Sequence, residues 1–108
     1  MKKTERFYRQ GDIAFIPGKM QKNGKKKILL DGIIAKGEAT GHSHRLLMEI
    51  PGVNLFEEEN GTMWIEVADG SQATIVHEEH DTISLPVGEW LVRRQREYSP
   101  DRIRMVRD

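Results

Sequence analysis

The chain of 108 residues contains no cysteine, which excludes a disulfide framework, a thiolate metal site, a cysteine nucleophile and an iron–sulfur cluster. Any metal must therefore be held by nitrogen and oxygen. Long apolar runs are also missing. The basic start Met1-Lys2-Lys3-Thr4-Glu5-Arg6 continues into Phe7-Tyr8-Arg9-Gln10 rather than into a hydrophobic stretch, so the expectation is a cytoplasmic protein with no membrane partner. No long helical period, low-complexity tract or internal repeat is present. Gly32, Gly37 and Gly41 lack the spacing and the following helix of a phosphate-binding fingerprint, so no nucleotide cofactor is expected.

What is there points to strands. The length suits one domain, 1–108, with one modest core and with residues 1–8 read as a loose N-terminal arm. Turn signals recur at Pro17-Gly18, Asn23-Gly24, Asp31-Gly32, Pro51-Gly52, Asn60-Gly61, Asp69-Gly70 and Pro86-Val87-Gly88. The segments between them are too short for a helix to bury a useful face and right for strands. Ile13 and Phe15 alternate with Asp12 and Ala14, and Met63, Ile65 and Val67 alternate with Trp64 and Glu66. Trp90 and Val92 share parity with Arg94, Arg96 and Tyr98. The expected fold is all-β, a single small antiparallel barrel or sandwich of about seven or eight strands.

Charge is balanced overall, at a formal net of +0, but unevenly placed. Residues 1–27 carry nine Lys or Arg against two Asp or Glu, and residues 49–81 carry nine Asp or Glu with no Lys or Arg. The Lys-rich segment 19–27, with Asn23-Gly24 inside it, reads as an exposed hairpin loop.

All four histidines fall in two clusters, Gly41-His42-Ser43-His44-Arg45 and Val76-His77-Glu78-Glu79-His80. Neutral imidazole is the commonest protein ligand for transition metals. In a strand, residues two apart share a face, so His42 and His44 project together with Leu46, and His77 projects with Ala73 and Ile75. His80 joins them only if Glu78-Glu79 turns or bulges. His42, His44 and His77 are thus candidate ligands of Zn²⁺, Fe²⁺, Ni²⁺ or Mn²⁺ with positions left open for a small polar ligand. His80 and Glu49 are the less certain members, and Glu78 and Glu79 are candidate orienting groups around them. Ser43 points to the opposite face from its two histidines, which makes a Ser–His nucleophile geometrically poor.

The stretch His42-Ser43-His44-Arg45-Leu46-Leu47-Met48-Glu49 resembles the first motif of the cupin family. Gly37 sits near the expected leading glycine, and Pro86-Val87-Gly88 is similar to the Pro-x-Gly of the second motif. The resemblance implies a small double-stranded β-barrel, often metal-binding, in a family of dioxygenases, isomerases and non-enzymatic binders. Leu91 stands where the last cupin histidine would be, so His42, His44 and His77 would form a variant set. The two histidine clusters, together with Leu85-Pro86-Val87-Gly88 and Arg94-Gln95-Arg96-Glu97-Tyr98-Ser99-Pro100, also resemble short bacterial proteins without an assigned activity.

Whether the chain is an enzyme stays open at this level. A metal would act as Lewis acid or water activator on a small oxygen-bearing substrate. The alternative from another class is an interaction module for protein or nucleic acid, built on the Arg-rich C-terminal strand with Arg94, Arg96 and Tyr98 on one face. The acidic middle of the chain argues against a continuous phosphate footprint. A homodimer through an exposed strand edge fits either reading.

Overall fold

In the computed structural model, which describes residues 7–21, 24–36 and 42–94, ten strands form two antiparallel sheets. They are β1 (Tyr8–Gln10), β2 (Ile13–Pro17), β3 (Lys26–Ile28), β4 (Ile33–Lys36), β5 (Ser43–Leu46), β6 (Val53–Glu58), β7 (Met63–Val67), β8 (Ala73–Val76), β9 (Ile83–Leu85) and β10 (Gly88–Arg94). One sheet has the order β1-β2-β10-β7-β6-β3 and the other β4-β5-β8-β9. The fold is all-β, without helix among the described residues, and it is a sandwich-like pair of sheets rather than a closed barrel. The strand number exceeds seven or eight because β1, β3 and β9 are only three residues long, too short to show an alternation.

The core is the inner faces of both sheets: Ile13, Phe15, Val53, Leu55, Ile65, Val67 and Trp90 from the first against Ile34, Leu46, Ala73, Ile75 and Leu85 from the second. Removing this apolar surface from water is the main drive for closing the two layers on each other. The Trp90 indole meets Tyr8 edge to face at 5.4 Å and donates to the Pro86 carbonyl at 2.9 Å, which gives its one polar atom a partner. Trp90 is therefore a core residue rather than a stacking platform.

Turn chemistry sets the registers. At Asn60-Gly61 the Asn60 Oδ1 accepts the Thr62 amide at 2.9 Å, and β6 pairs β7 with Phe56 opposite Trp64 and Leu55 opposite Ile65. The Lys-rich segment departs from the hairpin expectation. β2 and β3 are not neighbours, and β3 instead pairs with β6, placing Lys26 opposite Glu58 and Lys27 opposite Glu57. The Lys27 Nζ lies 3.7 Å from Glu57 Oε1, so the basic and acidic stretches partly answer each other across this edge. Asn23 lies outside the described residues, as do residues 1–6 of the expected N-terminal arm; Tyr8, also assigned to that arm, opens β1.

The strand that carries the first histidine cluster is anchored by Gly32. Its φ is +72°, its carbonyl accepts the Leu46 amide at 2.8 Å, and a Cβ there would run into the Leu46 carbonyl. Gly32→Ala combines a strained backbone with a clash against β5, and it is expected to lower unfolding free energy by about 2 kcal/mol. A urea titration checks this, and an unchanged midpoint would show that the turn adapts freely.

Candidate functional site

β5 runs with Arg45 exposed and His44 and Leu46 buried, the alternation expected of a strand with one face inward. β8 buries Ala73 and Ile75 on the same parity as His77, which follows the strand's end. Because β5 pairs with β8, Arg45 opposite Val76 and Leu46 opposite Ile75, the two histidine clusters meet at one end of this pair. The chain then bends at 78–80 rather than continuing extended, and His77 Nδ1 accepts the amides of Glu79 at 3.0 Å and His80 at 3.2 Å. That bend turns His80 back toward the other rings.

All four imidazoles therefore gather. Ring centroids are 5.7 Å apart for His42 and His77, 4.3 Å for His44 and His77, 4.6 Å for His77 and His80, and 6.0 Å for His44 and His80. The His44 and His80 planes are nearly parallel, 11° apart. Glu78 and Glu79 flank the group: Glu78 Oε1 accepts the Ser43 amide at 2.8 Å, and Glu79 Oε2 lies 3.6 Å from His42 Nε2. The Ser43 hydrogen bond holds the Glu78 carboxyl below its usual range. Glu49 does not take part: it is exposed in the turn beyond the far end of β5 from His42.

The remaining neighbours come from the β1–β2 turn. Gln10, 2 % exposed, donates from Nε2 to the Ile75 carbonyl at 3.0 Å and to the Asp81 carbonyl at 2.8 Å. Both amide hydrogens are thus spent on carbonyls, so its Oε1, 2.8 Å from His44 Nδ1, has to accept from that ring nitrogen. His44 then carries its proton on Nδ1 and presents the lone pair on Nε2. Burial, followed by the neighbouring His77, lowers the His44 pKa to about 4, against the smaller upward pull of Asp12. The ring is neutral at pH 7. His77 has the opposite tautomer, since its Nδ1 receives two amides and its proton falls on Nε2.

Asp12, assigned by parity to an outer strand face, instead lies in the turn at 11–12, where strand alternation does not apply. Its Oδ1 is 3.7 Å from His44 Nε2 and its Oδ2 is 3.7 Å from Arg94 Nε. Arg94 also donates through Nη2 to the Lys36 carbonyl at 3.1 Å. This residue, the described member of the Arg94, Arg96 and Tyr98 face, is engaged within the fold; Arg96 and Tyr98 lie outside the described residues. A cleft of about 220 Å³ opens beside Arg94 between the sheets, lined by Ile13, Ile34, Ala35, Met63 and Val92. Two larger clefts, of about 420 and 580 Å³, are open surfaces along β3 and the β6–β7 turn, bordered by Lys25 and Glu58 and away from the imidazoles.

Among the described residues no three His, Asp or Glu groups stand ready around a single ion. Coordination would require rings to turn inward. Gln10 and Asp12 are not part of the sequence-derived site, and Arg94 enters it only for the nucleic-acid alternative. For Asp12 the one signal is its place in the tight turn at Gly11-Asp12 beside the inward-facing Ile13.

The molecule is thus a small two-sheet antiparallel β domain with an imidazole cluster at the end of one strand pair. It belongs to the family described as a domain of unknown function, DUF8820, whose model matches residues 9–95 and so spans both clusters. No curated protein and no solved structure matches the chain.

Proposed function

We propose that this domain binds one divalent transition ion, Zn²⁺, Fe²⁺, Ni²⁺ or Mn²⁺, through His44 and at least one further imidazole of the cluster it forms with His42, His77 and His80, leaving positions for a small oxygen-bearing ligand. The observation that carries the reading is the fixed tautomer of His44. A metal-bound imidazole characteristically donates its second ring N–H to a carbonyl or carboxylate, which orients the ring and raises its basicity. Gln10 provides that acceptor to a buried neutral ring whose other nitrogen keeps a lone pair, 3.7 Å from Asp12 Oδ1. Glu78 and Glu79 supply negative charge around the imidazoles without occupying the ring nitrogens, which suits a dication.

Calorimetric titration of the tag-free full chain with ZnCl₂, MnCl₂, NiCl₂ and anaerobic FeCl₂ tests the reading. The expected result is saturable binding of one equivalent of at least one ion. The His42→Ala/His44→Ala variant should bind that ion about a hundredfold more weakly, or not at all. No saturable binding of any of the four, or equal affinity in the double variant, would remove the proposal.

A further inference from the structure

The gap between Asp12 and His44 has a specific chemistry. His44 Nε2 carries a lone pair, because the ring proton is on Nδ1 and is donated to Gln10. Asp12 Oδ1 is an acceptor as well, and it stands 3.7 Å away. Two electron-rich atoms thus face each other with no hydrogen between them, in a position where at least one is buried. Ligands about 2.1 Å from a tetrahedral ion lie roughly 3.4 Å apart, and a ligand–metal–ligand angle opened to about 120–125° widens that to about 3.7 Å. The observed separation is therefore close to what two ligands of one ion require, and too long for a hydrogen bond.

We propose that Asp12 is the anionic ligand of the metal site, seated opposite His44 Nε2, with His80 as the third donor once its ring turns from Gly11 toward the gap. This rests on the preceding reading that the cluster binds a divalent ion. Arg94 acts as the positioning residue. Its Nε approaches Asp12 Oδ2 while Nη2 is tied to the Lys36 carbonyl, so one carboxylate oxygen is held back and the other is turned to His44. His80 is placed by Gly11, the residue before Asp12. The His80 Nε2 lies 2.6 Å from the position a Cβ on Gly11 would take, and the φ of +62° at that residue suits glycine. The absent side chain lets the His80 ring settle against the turn that carries the carboxylate. His77 remains a positioning residue, since its Nδ1 holds the 78–80 bend.

The resulting donor set is two imidazole nitrogens and one carboxylate oxygen, with net charge +1 when a dication is bound. Three protein donors leave at least one coordination position free on a tetrahedral ion, and more on an octahedral one. That is the arrangement of a reactive or ligand-exchanging centre rather than a closed structural one. The ligand class it takes is a small anion or neutral oxygen donor, replacing water on the metal.

The test uses the tag-free full chain and Zn²⁺ alone for affinity, with Co²⁺ for the visible spectrum. Asp12→Asn is expected to weaken Zn²⁺ binding more than tenfold and to shift the Co²⁺ absorption, which a purely structural role would not move. Asp12→Glu should recover part of the affinity, because the longer carboxylate can still reach. Glu57→Gln, on the β3–β6 edge where its carboxylate meets Lys27, should stay within about threefold of the parent. Wild-type binding with unchanged affinity and spectrum in Asp12→Asn would overturn the assignment of Asp12 while leaving a histidine-only site in place. Absence of Zn²⁺ and Co²⁺ binding by the parent chain would overturn it outright.

Discussion

Gln10→Leu is expected to lower the unfolding free energy by about 3 kcal/mol and, in the folded protein, to release His44 from its single tautomer. The first effect follows from what Gln10 holds. Its amide satisfies the Ile75 carbonyl inside the core and the Asp81 carbonyl at the rim, and its carbonyl receives His44 Nδ1. A leucine of similar size fills the space but leaves these groups unpaired, and each buried one costs roughly 1–3 kcal/mol. The Asp81 carbonyl is the cheapest of the three, since Asp81 is exposed and water can replace the amide. The second effect follows from geometry: without an acceptor at Nδ1, the ring proton is free to move to Nε2 and the ring to rotate. Metal affinity should then drop about ten- to a hundredfold, as for other losses of an orienting partner. Gln10→Glu separates the two roles, because a carboxylate still receives Nδ1–H but cannot donate to either carbonyl. It should lose stability while keeping the His44 tautomer, readable from the ¹⁵N shifts of the ring. Equal stability of Gln10→Leu and wild type in urea would show that the network is not closed as described.

The second large effect is on acid stability. The His44 pKa in the folded protein is about 4, against 6.5 for the free side chain, and burial is the leading cause. Between those values the unfolded chain takes up a proton that the native protein refuses. The contribution of His44 to stability is therefore full above pH 6.5, falls as the pH drops toward about 4, and is gone below. With the side chain only 5 % exposed, the whole decline amounts to about 3 kcal/mol, because every tenfold loss of proton affinity is worth about 1.4 kcal/mol. For the metal-free protein, urea midpoints measured at steps from pH 7.5 to 4.5 should decline, and His44→Asn should flatten the decline. A wild-type profile that stays flat would mean that the ring is already charged, or solvated, in the native state.

How much of this was legible beforehand differs from element to element. The β6–β7 hairpin could be read from Asn60-Gly61 because the turn residues and the flanking alternation act within a few positions of each other. The inward direction of His44 followed from parity with Leu46, and the dependence of His80 on a turn at Glu78-Glu79 followed from its odd spacing from His77. Alternation with Ile13 and Phe15 misplaces Asp12, because the backbone has already left the strand at Asp12. Gln10 gave no signal at all. Its partners are 34, 65 and 71 positions away, so nothing local distinguishes it from a surface glutamine. Likewise the pairing of β3 with β6 depends on chain crossing between distant segments, which a neighbouring Asn-Gly outweighed in a local reading.

The contacts of Gln10 have a kinetic corollary. They join the first described strand to residues near the end of the second sheet, so the pocket around His44 has no partial form built from local segments. Ring closure over most of the polypeptide has to precede it, and topologies of that kind cross their folding barrier slowly compared with helical bundles of equal length. Newly made chains would thus pass through a period in which both histidine clusters exist without the Gln10 contact that orients His44, and the proposed ion binding would have to wait until the two layers have docked.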